Sequence, residues 1–132
     1  MYFFSVTLRL PYDEAVERTK SALADEGFGV LTEIDVAATM KAKLNEDMPA
    51  YRILGACNPP LAHQAVIAEP TIGALLPCNV VVRQDDDQVI IDFMDPAAAM
   101  DLAQSPEISE LGRQVRRKLE KVARSLAPPV DA

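Results

Sequence analysis

The chain has 132 residues, of which 49% are hydrophobic and 25% charged, a length and balance that fit one globular domain with its own core. Its formal net charge of −7 argues against nucleic acid as a partner, because phosphate backbones are bound by clustered Lys and Arg. No apolar run reaches the ~20 residues that span a bilayer, and residues 1–4 lack the basic segment of a secretion signal. We therefore expect a cytoplasmic protein without a membrane partner, in which Cys57 and Cys78 are reduced thiols.

Hydrophobic periodicity in the first half of the chain switches repeatedly between strand and helix types. Phe4, Val6 and Leu8 alternate with polar residues, which is typical of a half-buried strand. Val16 and Leu23 belong to an apolar stripe with the spacing of one helix face. The elements predicted in this half are a strand at residues 2–9, a helix at 12–26, a strand at 28–34, a helix from the N-cap Asp35 to about Leu44, and a strand from Tyr51 to Cys57.

The second half begins with a strong helix signal, Asn58 followed by Pro59, since Asn is a good N-cap and Pro suits the first helical position. Two apolar segments separated by the polar residues 85–88 are typical of a β-hairpin. A stripe of apolar residues at helical spacing predicts a long final helix. The elements predicted in this half are a helix from Pro59 to about Ala68, a loop or single turn at 71–76, strands at 79–84 and 89–94, and a helix at 106–126.

These elements predict an α+β fold. Single strands alternate with helices early in the chain and a hairpin comes late, which favours a two-layer arrangement in which helices pack on a mixed, mostly antiparallel sheet. We expect one domain at residues 1–126 and a disordered tail at 127–132, where Pro128 and Pro129 follow the last helix.

The two cysteines are the first candidates for chemistry, because both are predicted at strand ends. Cys57 ends one strand immediately before a helix, and Cys78 with Asn79 begins the hairpin. A helix N-terminus favours a thiolate, so we expect a lowered pKa and the greater reactivity at Cys57. The alternative is that both are small buried side chains that only pack.

The single histidine, His63, is predicted on the helix between the cysteines. Cys57, His63 and Cys78 could form a three-ligand metal site, but their spacing matches no zinc pattern, so we expect no metal. A Cys–His catalytic pair would also need an orienting third group, which the sequence does not identify. The candidate ligand-binding residues are Cys57, Asn58, His63, Cys78 and Asn79.

The segments around both cysteines resemble a known family. The matching motifs are Gly55-Ala56-Cys57-Asn58-Pro59 and Leu76-Pro77-Cys78-Asn79-Val80, together with residues 27–35. They resemble the domain-of-unknown-function family numbered 302, from the first strand to about Leu126. The resemblance implies a two-layer α+β fold that often forms homodimers and has no settled activity.

Three functional interpretations stay open. We favour a thiol-dependent binding domain that holds a small ligand, a sulfur species or a soft metal at Cys57 and Cys78. The second is a thiol enzyme with Cys57 as its nucleophile. The third is a non-catalytic homodimeric interaction module in which both cysteines only pack. The sequence identifies neither a cofactor nor a substrate.

Overall fold

Five strands form one sheet in the order β1-β5-β4-β3-β2, in a computed structural model that describes residues 1–127. The strands are β1 (Phe3–Leu8), β2 (Gly29–Asp35), β3 (Tyr51–Cys57), β4 (Cys78–Asp85) and β5 (Gln88–Met94). The helices are α1 (Tyr12–Asp25), α2 (Val36–Leu44), α3 (Pro59–Ala68), α4 (Pro96–Asp101) and α5 (Pro106–Leu126), with a 3-10 helix at Pro70–Leu75.

The α+β prediction is confirmed, and the sheet is simpler than expected. All four ladders between neighbouring strands are antiparallel, so the sheet is not mixed. β1 and β2 are the two edge strands, and α1 carries the chain from one edge to the other. The expected disordered tail comprises residues 127–132. Ala127 is an exposed bend, and residues 128–132 lie outside the described residues.

One face of the sheet is packed against helices. Alternate side chains of the inner strands, such as Leu54, Val80 and Ile91, are fully buried in one cluster with residues of α1 and α5. A second apolar cluster joins α3, the 3-10 helix, α4 and α5. Val115 of α5 packs against both clusters, so α5 connects them.

Asp95 ties the end of the sheet to this helical layer. It is the N-cap of α4, where its side chain accepts hydrogen bonds from the amides of Ala97 and Ala98. The same carboxylate forms an ion pair with Arg116 of α5. The sequence analysis predicted no helix between the hairpin and residue 106 and so missed α4, although Asp95-Pro96 is the same N-cap and proline signal that starts α3.

Within residues 1–127, no helix combines the length and the apolar character needed to cross a membrane.

Candidate ligand pocket

A pocket of about 300 Å³ lies where the ends of β3 and β4 meet helices α3, α4 and α5. Leu61 and Ala62 of α3 form one wall, and Leu111 and Val115 of α5 form another. Met100 of α4 closes part of it. Among the described residues, none with a charged side chain lines the pocket. Its size is at the lower end of small-molecule sites, and its wall is almost wholly apolar.

Both cysteines line this pocket. Cys78, the first residue of β4, is opposite Ala56 in the antiparallel ladder, and Cys57 follows Ala56 as the last residue of β3. Cys78 is 5% exposed, whereas Cys57 is half-buried. Neither is in a disulfide. The fold therefore brings together two thiols that are 21 positions apart in the sequence.

Asn58 also lines the pocket, but its polar atoms are already used. Its side-chain oxygen accepts a hydrogen bond from the Leu61 amide at 3.4 Å, which caps α3. Its side-chain nitrogen donates to the carbonyl oxygen of Glu26, also at 3.4 Å. Asn58 is thus a structural clamp between the end of α1 and the start of α3.

The expected lowering of the Cys57 pKa is wrong. Burial raises the pKa of the Cys57 thiol above its ordinary value. Burial likewise raises the pKa of Cys78 to about 11, and the nearby Cys57 contributes to that shift. Desolvation raises the pKa because it disfavours the charged form of a thiol. Both thiols are consequently protonated near neutral pH.

The remaining predicted ligands are not at the pocket. Asn79 follows Cys78 in β4, so its side chain points to the opposite face of the sheet, where it is exposed. His63 is exposed on α3, beside the buried positions Leu61 and Ala65 but on a different side of the helix. Across the described part of the chain, no three His, Cys, Asp or Glu residues converge in a way that could hold a metal ion.

Several pocket residues were not predicted as site residues. Leu111 and Val115 are on the apolar stripe that predicted α5, and this periodicity marks burial without separating core from pocket. Met100 was missed with the whole of α4. Leu31 lines the pocket from β2, at a position where the ladder with β3 has a bulge between Val30 and Thr32.

The opposite face of the sheet carries a second, more open depression of about 370 Å³. Tyr51, Val81 and Met94 contribute to its lining. Arg83 and Asp92 form an ion pair across β4 and β5 at 2.7 Å within it. This face is thus partly apolar and carries one pair of opposite charges within the depression.

Comparison with known proteins identifies a family and a solved structure that this chain resembles, and neither description names an activity. The family model described as Domain of unknown function DUF302 matches residues 4–126. The structure is similar to the crystal structure of an uncharacterized conserved protein DUF302 from Bacillus stearothermophilus, with a TM-score of 0.89 and 25% sequence identity over 96% of this chain and 98% of that one. No curated protein matches the sequence.

Proposed function

The chain belongs to the family described as Domain of unknown function DUF302, and from the pocket of this member we propose that it binds a small, uncharged, largely apolar molecule. The observation that carries the proposal is the pocket at Cys57 and Cys78, whose lining has no charged side chain among the described residues. A charged ligand group would lose its hydration there and gain no counter-ion.

The two thiols give the pocket its particular chemistry. With their pKa values raised by burial, Cys57 and Cys78 act as neutral groups. A protonated thiol is a soft, weakly hydrogen-bonding part of an apolar wall. Cys57 and Cys78 are therefore ligand contacts, whereas His63 and Asn79 have no such role.

A thiol enzyme is less well supported by the same observations. A nucleophilic cysteine needs a lowered pKa or an adjacent base. Burial raises the pKa of Cys57, and His63 does not line the pocket with it. Asn58, the polar neighbour, is used in capping α3. Binding without covalent chemistry at Cys57 is therefore the function that we propose.

Calorimetric titration with 1-hexanol tests the proposal, because this alcohol is apolar, uncharged and small enough for the pocket. We expect one molecule to bind per chain. Ala62→Phe would place a ring in the pocket and should weaken binding at least about tenfold, by displacing several methylene groups. His63→Phe, at an exposed position on a different side of the same helix and away from the pocket, is the matched control.

Protection of the thiol provides a second measurement. Bound 1-hexanol should slow the alkylation of Cys57 by iodoacetamide, since both would occupy the same space. No heat of binding in the wild type, or equal affinity in wild type and Ala62→Phe, would overturn the proposal. Unchanged alkylation at saturating alcohol would overturn the contact with Cys57.

A further inference from the structure

Leu31 combines two properties that set it apart from the other exposed leucines. It lines the pocket, and yet it is 66% exposed to solvent. Leu44 and Leu102 are similarly exposed, at 64% and 73%, and do not line the pocket. Single exposed apolar residues are common and require no explanation by themselves. An exposed apolar residue at the mouth of an apolar pocket can, however, contact the part of a ligand that extends out of that pocket.

The position of Leu31 follows from an irregularity in the edge strand. The β2–β3 ladder pairs Val30 with Ala56 and Thr32 with Gly55, so Leu31 is the extra residue of a β-bulge. A bulge rotates a side chain away from the direction that strict alternation would give it. Here the bulge is next to the pocket, and Leu31 is at the rim of the pocket.

The apolar surface continues from the rim onto α3. Ala62 lines the pocket. Val66 is four residues later, which puts it beside Ala62 on the same side of the helix, and it is 41% exposed. Leu31 on β2 and Val66 on α3 therefore extend the apolar wall outwards from the pocket.

We propose that the ligand is an elongated molecule with a single hydrocarbon chain, longer than the pocket, whose outer part lies against Leu31. The inference depends on the proposed function, because it names the class of molecule that this pocket takes. A volume of about 300 Å³ holds about ten groups the size of a water molecule, and a methylene group is about that size. A longer chain emerges at the rim, where Leu31 covers it and its polar end stays in water.

A hydrocarbon chain suits the apolar walls of the pocket better than a compact polar molecule does. The buried section meets apolar side chains and protonated thiols, and among the described lining residues there is no charge to recognise a charged group. The polar end can be a hydroxyl or an ester, since it would remain outside. The shared chemistry is the unbranched hydrocarbon section.

Titration with a series of 1-alkanols from 1-hexanol to 1-dodecanol tests this inference. Within the pocket each added methylene should strengthen binding by up to about fourfold, and the gain should continue beyond the length that fills the pocket. Leu31→Ser should weaken 1-dodecanol binding at least about fivefold and change 1-hexanol binding less than about twofold, since only the longer chain reaches Leu31. Leu102→Ser, which removes an equally exposed leucine away from the pocket, should change neither.

The outcomes separate the two proposals. A gain that stops at the pocket-filling length, or a Leu31→Ser effect equal for short and long alcohols, would overturn the elongated ligand while 1-hexanol binding still supported the pocket. Failure of every alcohol to bind the wild type would overturn the proposed function itself.

Discussion

The side chain of Asn58 accepts a hydrogen bond from the backbone amide of Leu61, and this bond removes the last free donor from the first turn of α3. Pro59 and Pro60 occupy the first two helical positions, and proline has no N–H. No amide of these three residues is then available to stabilise a thiolate at Cys57. The residues that make Asn58-Pro59 a strong helix start thus leave the neighbouring cysteine without an amide donor from the first turn of α3.

The first prediction concerns the rates at which the two thiols react. Cys57 should alkylate faster than Cys78, because it is half-buried while Cys78 is 5% exposed and has a pKa of about 11. Both pKa values are raised, so the rate at Cys57 should keep rising above pH 9 instead of levelling near neutral pH. Peptide mapping after timed iodoacetamide treatment measures both rates.

Urea-unfolded protein is the control for this experiment, and there the two cysteines should react at nearly equal rates. A Cys57 rate in the folded protein that reaches its plateau at or below pH 7 would mean a lowered pKa. That result would restore the thiolate, and with it the enzyme interpretation.

The second prediction concerns Gly112, where α5 crosses α4 closely. A Cβ atom at this position would be 2.7 Å from both the Met100 Cβ and the Pro96 carbonyl oxygen. Replacing a helical glycine by alanine usually stabilises by about 1 kcal/mol. Here the steric overlap should outweigh the gain in helix propensity. Gly112→Ala should therefore lower the free energy of unfolding by about 1–3 kcal/mol, as measured by urea denaturation.

Gly73→Ala is the matched control, because a Cβ there would meet nothing within 4 Å. It should leave the free energy of unfolding nearly unchanged. Equal stability of both variants would mean that α4 can move away from α5 without cost. That movement would also alter the pocket, since Gly112 and Met100 line it.

The helices show what the sequence could and could not predict. α3 was placed correctly because Asn58-Pro59 is a local signal, and α5 because an apolar stripe runs along nearly all of this 21-residue helix. α4 has six residues, too few for periodicity to appear, and its start signal Asp95-Pro96 was not recognised.

The pocket itself depends on contacts that are distant in the chain. The pairing of Ala56 with Cys78 is decided by strand register, which no local pattern near either residue reveals. Asn79 was wrongly grouped with Cys78, although neighbouring residues of a strand point to opposite faces and the alternation within β4 already separates them. His63 could not be placed, since the buried side of α3 is decided by packing.

The third prediction concerns pH and the ion pairs of Glu33. Its carboxylate is 2.9 Å from the Lys20 Nζ and 3.3 Å from an Arg52 nitrogen. The hydrogen bond from Lys20 is the main cause that holds the pKa of Glu33 below its ordinary value. A lowered folded-state pKa stabilises the protein above the unfolded value of about 4.3, and the stabilisation is lost as pH falls through the folded-state pKa.

Glu33→Gln should therefore lower the free energy of unfolding at pH 7 by about 0.5–1 kcal/mol, the usual range for a partly exposed pair. The difference from wild type should shrink as the pH falls below about 4. Glu17→Gln is the control, because Glu17 is 3.7 Å from Lys20 but 73% exposed, and it should have little effect. A Glu33→Gln difference that stays constant from pH 7 to pH 2 would contradict the ionic origin.

The last prediction concerns self-association through the opposite face of the sheet. We expect a homodimer because Tyr51, Val81 and Met94 give that face apolar surface around the Arg83–Asp92 pair. Sedimentation equilibrium at micromolar concentration should give twice the chain mass of 14.4 kDa. Val81→Glu would bury a carboxylate in the interface and should produce a monomer that keeps its fold by circular dichroism.

Ile67→Glu is the matched variant for the dimer. It introduces the same charge at a residue that is 69% exposed on α3, away from the opposite face. It should remain dimeric, because a stable interface of about 1,600 Å² on the sheet would leave α3 free. A wild-type chain that sediments only as a monomer would contradict the prediction. Dissociation by Ile67→Glu but not by Val81→Glu would move the interface from the sheet to α3.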